Sequence, residues 1–190
     1  MSVASSSRAR ITAAEFLLLP DDGKRHELID GVHYVTPSPN LFHQELLGRL
    51  HLAIGNFLAK RRHLGRVFVS RLDVVMSEYD VVEPDLLFVA GDQQHILTEQ
   101  NVQGAPALAI EILSPGTRKR DEGIKRRLFD EKGVREYWIV DPKNSSVSVY
   151  RRAGDGTFPR VAELDAASAE ALTTPLLPGF TLSVEKLFST

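Results

Sequence analysis

Ala107-Leu-Ala-Ile-Glu-Ile-Leu113 is a short apolar run with one acid in it. Ser114-Pro-Gly116 breaks it, so it reads as a strand at the centre of a sheet. Side chains along a strand alternate between faces, which puts Glu111 on the face of Ala107, Ala109 and Leu113. A carboxylate there is costly unless it is paired or holds a metal. It also stands at the strand's carboxyl end, where ligand sites of α/β sheets open.

Upstream, Glu83-Pro84 marks the entry to a second strand, Asp85–Ala90. Pro84 cannot donate to a ladder and so fixes the entrance. Asp85 is the first polar group on that strand. If the two strands are neighbours, Asp85 and Glu111 converge, and two hard carboxylate oxygens suit Mg²⁺ or Mn²⁺. Pairing of each acid with a nearby arginine is the other reading of the same residues.

Further outward, Val67–Met76 reads as one more strand and 91–106 as loop with room for a short helix. Lys119–Lys132 is helical, with Ile124 and Leu128 one turn apart and Gly133 as its cap. Tyr137–Val140 and Val147–Arg151 are strands joined around Asp141-Pro142. On the N-terminal side, Thr12-Ala-Ala-Glu15 is a capping box before Phe16–Leu19. Asp30-Gly31 between His26–Ile29 and Val32–Thr36 is a hairpin signal. Apolar residues at Phe42, Leu46, Leu50, Ala53 and Phe57, and at Leu47, Ile54 and Leu58, predict a long helix to about His63, stopped by Gly65. After Arg151 come Gly154, Gly156, an alanine-rich stretch and a short apolar end. The order predicts an α/β fold, a mixed sheet flanked by helices with an N-terminal helix and β-hairpin, in a single domain over 11–190 after a flexible leader, 1–10.

Composition agrees with an ordinary globular chain: 190 residues, 43% hydrophobic and 25% charged. The absence of cysteine removes disulfides, zinc-thiolate sites and cysteine nucleophiles, and suits a reducing cytoplasm. No apolar run reaches the roughly 18 residues of a membrane span, and the Ser- and Arg-rich Met1–Arg10 lacks a secretory core. A formal net charge of −2 excludes a globally basic nucleic-acid binder. Two basic clusters stand out, Arg118–Arg120 with Lys125–Arg127, and Lys60–Arg62 with Arg66. Each serves as a solvated helix face or as a local phosphate-binding patch.

A larger ordered set of motifs carries a family resemblance. Glu83-Pro84-Asp85 followed by Glu111-Ile-Leu113 resembles the motif of the PD-(D/E)XK nuclease superfamily, with Leu113 where that motif has lysine. With His26-Glu-Leu-Ile-Asp-Gly31, Pro37-Ser-Pro39, His43, Ala105-Pro106, Ser114-Pro115, Asp121, Lys125 and Gly133-Val-Arg-Glu-Tyr-Trp-Ile-Val-Asp-Pro142, the chain resembles the Uma-type restriction endonucleases from about Thr12 to Phe188. The resemblance implies a Mg²⁺-dependent (or Mn²⁺-dependent) endonuclease acting on DNA, with Asp85 and Glu111 as metal ligands. It implies that the displaced lysine is Lys125, on the following helix. Glu27, His43 and Asp73 match further positions and are candidates for an extended site.

The residues themselves allow other roles. Asp121 and Lys125 are also spaced as an ordinary surface ion pair. Lys125 falls at the edge of the Ile124/Leu128 stripe, where a long stem reaches an acidic site. His43 lies on the inward stripe of its helix, as a bonded core histidine would or as a neighbour of the acids. Arg118, Lys119, Arg120 and Arg126 are the expected phosphate contacts. Tyr137, Trp138, Phe180 and Phe188 suggest a homodimer, being many large apolar groups for a small domain. The displaced lysine keeps a second reading open, a nuclease fold that binds nucleic acid or a partner without cutting.

Overall fold

A computed structural model describes residues 10–189. The expected leader therefore lies outside the described residues except for Arg10, whose guanidinium stacks 4.2 Å from the Tyr79 ring and bonds Asp30.

Helix α1 (Ala13–Phe16) starts at a reciprocal capping box of Thr12 and Glu15. Strands β1 (Arg25–Ile29) and β2 (Val32–Thr36) form a hairpin in full register. Asp30 and Gly31 both take positive φ, 52° and 72°, as a two-residue turn of this hand requires. Asn40 caps helix α2 (Leu41–Ala59) by accepting from the His43 amide at 2.8 Å. That helix buries His43, Leu46, Leu47, Leu50, Ile54 and Leu58.

The strand expected over Val67–Met76 is two strands in two sheets. β3 (Gly65–Val69) and β4 (Val74–Ser77) are separated at Ser70–Asp73, where the Ser70 amide donates to the Asp85 carbonyl and the chain leaves the first sheet. β5 (Asp80–Val82), too short to carry a period, returns against β4. β6 (Leu86–Ala90), β7 (Val102–Gln103) and β8 (Leu108–Ile112) follow. A widened, π-helical turn (Arg120–Lys125) leads into α3 (Arg126–Glu131). β9 (Glu136–Asp141), β10 (Ser146–Arg151), β11 (Arg160–Asp165), β12 (Ala171–Leu172), β13 (Leu182–Ser183) and α4 (Val184–Phe188) complete the order.

The central sheet runs β11-β10-β9-β8-β6-β3 and is mixed, with β8 parallel to β9 and antiparallel to β6. A second sheet runs β2-β1-β5-β4-β7. Alternation along the strands divides the core. Leu86, Phe88, Leu108, Ile110, Ile112 and Trp138 pack under α2. Leu87, Val89, Ala109, Leu113 and Tyr137 pack against α3 and the second sheet. By the same alternation Asp85 and Glu111 belong to this second face. Gly65 must be glycine: its φ is 145°, and an added Cβ would meet the Phe88 ring at 2.7 Å.

Tyr137, Trp138, Phe180 and Phe188 are buried within the single chain, so the expected homodimer loses the reason given for it. Among the described residues no helix is long and apolar enough to cross a membrane.

Candidate active site and metal centre

The acids meet because of register. Leu86 faces Ile110, Leu87 faces Ala109 and Phe88 faces Leu108, so the next position outward sets Asp85 opposite Glu111. Both are 2% exposed. Arg25, from β1, lies between them: its Nη1 donates to Asp85 Oδ1 at 2.6 Å and its Nη2 to Glu111 Oε2 at 3.3 Å. The same Nη2 donates to the Glu83 carbonyl. Asp85 Oδ2 accepts from the Ile112 amide at 2.7 Å and lies 3.2 Å from His43 Nε2.

Lys125 is wholly buried. Its ammonium donates to Glu27 Oε1 at 2.5 Å and to Glu111 Oε1. It was expected at the edge of the inward stripe and stands at the centre, because the buried residues of this helix are Asp121, Lys125, Leu128 and Phe129 while Ile124 is only half-buried. Asp121 is not within ion-pair reach of it among the contacts described; Lys125 is paired to Glu27 and Glu111. Glu27 also accepts from the Glu83 amide at 3.1 Å and lies 3.4 Å from Arg120 Nη2.

The electrostatics follow from this sharing. Burial pushes the Asp85 carboxyl up, but the His43 bond, the Arg25 charge and the Ile112 amide outweigh it and hold it at about 2. Burial also works against Glu27, yet Lys125, Arg25 and Arg120 together keep it below the usual range. Glu111 has no such surplus. Burial raises it to about 8, Lys125 opposes the rise, and Asp85 adds to it. Asp121 is likewise raised, first by burial. Lys125 stays charged because Glu111 and Glu27 overcome its desolvation.

Asp85, Glu111 and Asp121 are the acids on the floor of an open cavity of about 1120 Å³, with Glu27 and Lys125 enclosed behind them. Six cations also line it: Lys24, Arg25, Arg71, Arg118, Arg120 and Lys143. The expected phosphate contacts divide. Arg118 forks onto Asp141 at 2.8 and 2.7 Å. Arg120 turns inward, donating to Thr36 Oγ1 at 2.6 Å beside Glu27. Arg126 stacks 5.4 Å from the Tyr150 ring and Lys119 is exposed; neither lines the cavity. Asp73 lies in a separate, smaller pocket with Glu83 and Arg71. Sequence reasoning missed Arg25, Lys24, Arg71 and Lys143. For Arg25 a signal existed: on a strand it shares a face with Glu27, two residues on.

A hydrated divalent ion fits these residues. Asp85 and Glu111 already converge on one cationic group, and their oxygens are of the hard type that Mg²⁺ and Mn²⁺ take. Among the described residues no three His, Asp or Glu side chains gather as ligands, so two carboxylates would hold an ion that keeps several waters. The charges also match. With Arg25 set aside, the ionised forms of Glu27, Asp85, Glu111 and Asp121 would face only Lys125 and Arg120, a deficit of two, and the raised Glu111 would give up its proton when an ion binds.

Known proteins agree with the architecture. A crystal structure from Anabaena variabilis, described as a putative nuclease belonging to DUF820, superposes with a TM-score of 0.78 at 23% identity, over 94% of this chain and 97% of that one. That likeness shows the fold. No protein of curated function matches. The Uma2 family, described as "Putative restriction endonuclease", matches over residues 13–185. A match across most of the sequence places this protein in the Uma2 family.

Proposed function

We propose that this protein is a divalent-metal-dependent endonuclease that hydrolyses phosphodiester bonds in DNA. One observation carries the reading: Asp85 and Glu111 meet on adjacent strand ends, with the Lys125 ammonium on Glu111, on the floor of a cavity lined by six cations. Asp85 and Glu111 would hold the ion, Mg²⁺ or Mn²⁺. Bound there, it supplies Lewis acidity at the phosphate and lowers the pKa of water.

The chain's own residues do the rest. Lys125 spreads positive charge over Glu27 and Glu111 and holds the Glu111 carboxylate at the cavity floor. Its ammonium is enclosed, so it acts on substrate through Glu111. His43 and the Ile112 amide fix the Asp85 carboxylate. Lys24, Lys143 and Arg71 at the cavity wall offer phosphate contacts that add affinity without reading sequence.

The test is incubation of pure protein with plasmid and oligonucleotide DNA under Mg²⁺, Mn²⁺ or chelator, beside Asp85→Ala and Glu111→Ala. Metal-dependent strand breaks lost in both variants are expected. Equal cleavage by the variants, or none by the wild type, would sink the reading. The enclosure of Lys125 is the observation that favours the second reading, a nuclease fold that binds nucleic acid without cutting. Tight oligonucleotide binding with no turnover is its signature.

A further inference from the structure

Arg25 occupies the ground that a metal shared by Asp85 and Glu111 would need. Its two terminal nitrogens stand 2.6 and 3.3 Å from one oxygen of each acid. A Mg²⁺ ion binds such oxygens at about 2.0–2.1 Å. One face of a carboxylate oxygen cannot serve a close guanidinium and an ion together, and two like charges at that separation repel strongly in a buried setting. The ion and this placement of Arg25 exclude each other.

Arg25 is also able to leave. Its side chain is 16% exposed, against 0% for Lys125. It lines the cavity beside Lys24, and its Nε is buried without a partner, so the inward position satisfies it incompletely. The guanidinium sits on a long stem anchored in β1, a different sheet from the two acids. Turning it toward the cavity breaks no strand pairing. Planar guanidinium groups suit phosphate, which they bind through two parallel N–H bonds.

We propose that Arg25 is a resident counter-ion which a divalent metal must displace, and that the displaced guanidinium turns into the cavity to take a substrate phosphate. The proposal rests on the metal reading above. It makes metal entry and phosphate capture coupled events, each favouring the other. The cost to the metal has a simple form: if the inward arrangement holds nine molecules in ten, apparent metal affinity is about tenfold weaker than that of the open site.

The experiment is a titration of the full chain with Mn²⁺, followed by electron paramagnetic resonance, without DNA. Wild type, Arg25→Met and Arg25→Lys are compared, with Asp85→Asn as the control that assigns binding to this site. Methionine keeps much of the stem and removes the charge. Arg25→Met is expected to bind Mn²⁺ about tenfold or more tightly than wild type, with Arg25→Lys between them. In Ca²⁺, a fluorescent oligonucleotide should bind Arg25→Met several-fold more weakly. Equal or weaker Mn²⁺ binding by Arg25→Met overturns the proposal and leaves the metal reading standing. No Mn²⁺ binding by any variant, or binding that Asp85→Asn does not weaken, overturns both. Should Arg25→Met fail to fold, Arg25→Lys decides alone: it lacks the fork that gives each acid its own nitrogen, so unchanged or weaker Mn²⁺ binding refutes the idea.

Discussion

Two buried acid clusters lie at opposite ends of the central sheet, and they are built to different standards. Glu136, at the start of β9, is fully buried. Trp138 Nε1 donates to it at 2.5 Å, Arg151 Nε at 2.8 Å and Thr174 Oγ1 at 3.1 Å. One acid meets one cation and two neutral donors, and none of its atoms is left over. The Asp85/Glu111 cluster gathers four acids and three cations, yet Arg25 Nε, Glu27 Oε2, His43 Nδ1 and Arg120 Nε are buried without partners. The first arrangement is what a structural ion pair needs. The second leaves buried polar atoms unsatisfied beside a cavity, as a site for ligand chemistry does.

That contrast breaks most sharply on activity. Asp85→Ala or Glu111→Ala should lower Mg²⁺-dependent cleavage on the order of 10³-fold or more, since a lost ion forfeits several kcal/mol of transition-state stabilisation. Glu136 does not line the cavity, so Glu136→Gln should leave kcat within about threefold, or about 0.6 kcal/mol of barrier. Cleavage assays on purified variants check both. If Glu136→Gln is as inactive as Glu111→Ala, the division into structural and functional clusters is wrong.

Stability should divide by its response to metal. Glu136→Ala leaves the buried Trp138 N–H unpaired and releases Arg151, which is one-third exposed and able to hydrate, and should cost about 1–3 kcal/mol in urea melts, the range for an unsatisfied buried donor. Mg²⁺ should not restore it. Asp85→Ala leaves Arg25, His43 and the Ile112 amide without their acceptor and also destabilises in chelator, but unlike Glu136→Ala it should abolish the stabilisation that Mg²⁺ gives the wild type.

A pH dependence follows from the raised acids. Glu111, pushed up to about 8 by burial, binds its proton more tightly folded than unfolded. Its contribution to stability is therefore complete below the unfolded pKa and is lost as pH rises through about 8. Glu83, raised to about 7 by burial, acts in the same sense. Urea melts in chelator should show stability falling from about pH 5 to pH 8. Glu111→Gln should flatten the slope, and saturating Mg²⁺ should flatten it in the wild type. Glu136→Gln should leave the slope unaltered.

The smallest effect concerns how the cluster is supported. Asn40→Ala removes the cap of α2, the helix that presents His43, and should cost about 1 kcal/mol. A thermal melt by circular dichroism detects it. A greater loss of cleavage than of melting temperature would place the His43–Asp85 bond, rather than the helix, in the reaction.

What the sequence reveals tracks the range of the forces involved. Asp85 and Glu111 are legible because Pro84 and a run of apolar neighbours isolate them, and the hairpin is legible because Asp30-Gly31 is a local device. The split of Val67–Met76 is not, since both halves are apolar and only the pull of two separate sheets parts them. Arg25 follows Asp21-Asp22-Gly23-Lys24 and looks like one more surface charge. It becomes buried only when the second sheet folds over the strand ends. Arg118, Lys119 and Arg120 look equivalent as text, and the fold sends one to Asp141, one to solvent and one to Glu27.

The widened turn at Arg120–Lys125 has a consequence for spacing. In an ordinary helix each residue advances about 100°, so positions five apart point to nearly opposite sides. In a π turn the bonding runs from i to i+5, and residues five apart stack above one another. That is how Arg120 and Lys125 reach the two oxygens of the same Glu27 carboxylate. Counted as text, the turn is a single inserted residue. Deleting Gly123, whose missing side chain touches nothing, would turn that pair into an i to i+4 pair of a regular helix, which also shares a face, so Arg120 and Lys125 are expected to stay on Glu27. The widening is what lets a five-residue spacing bring two positive charges to the second sheet's glutamate.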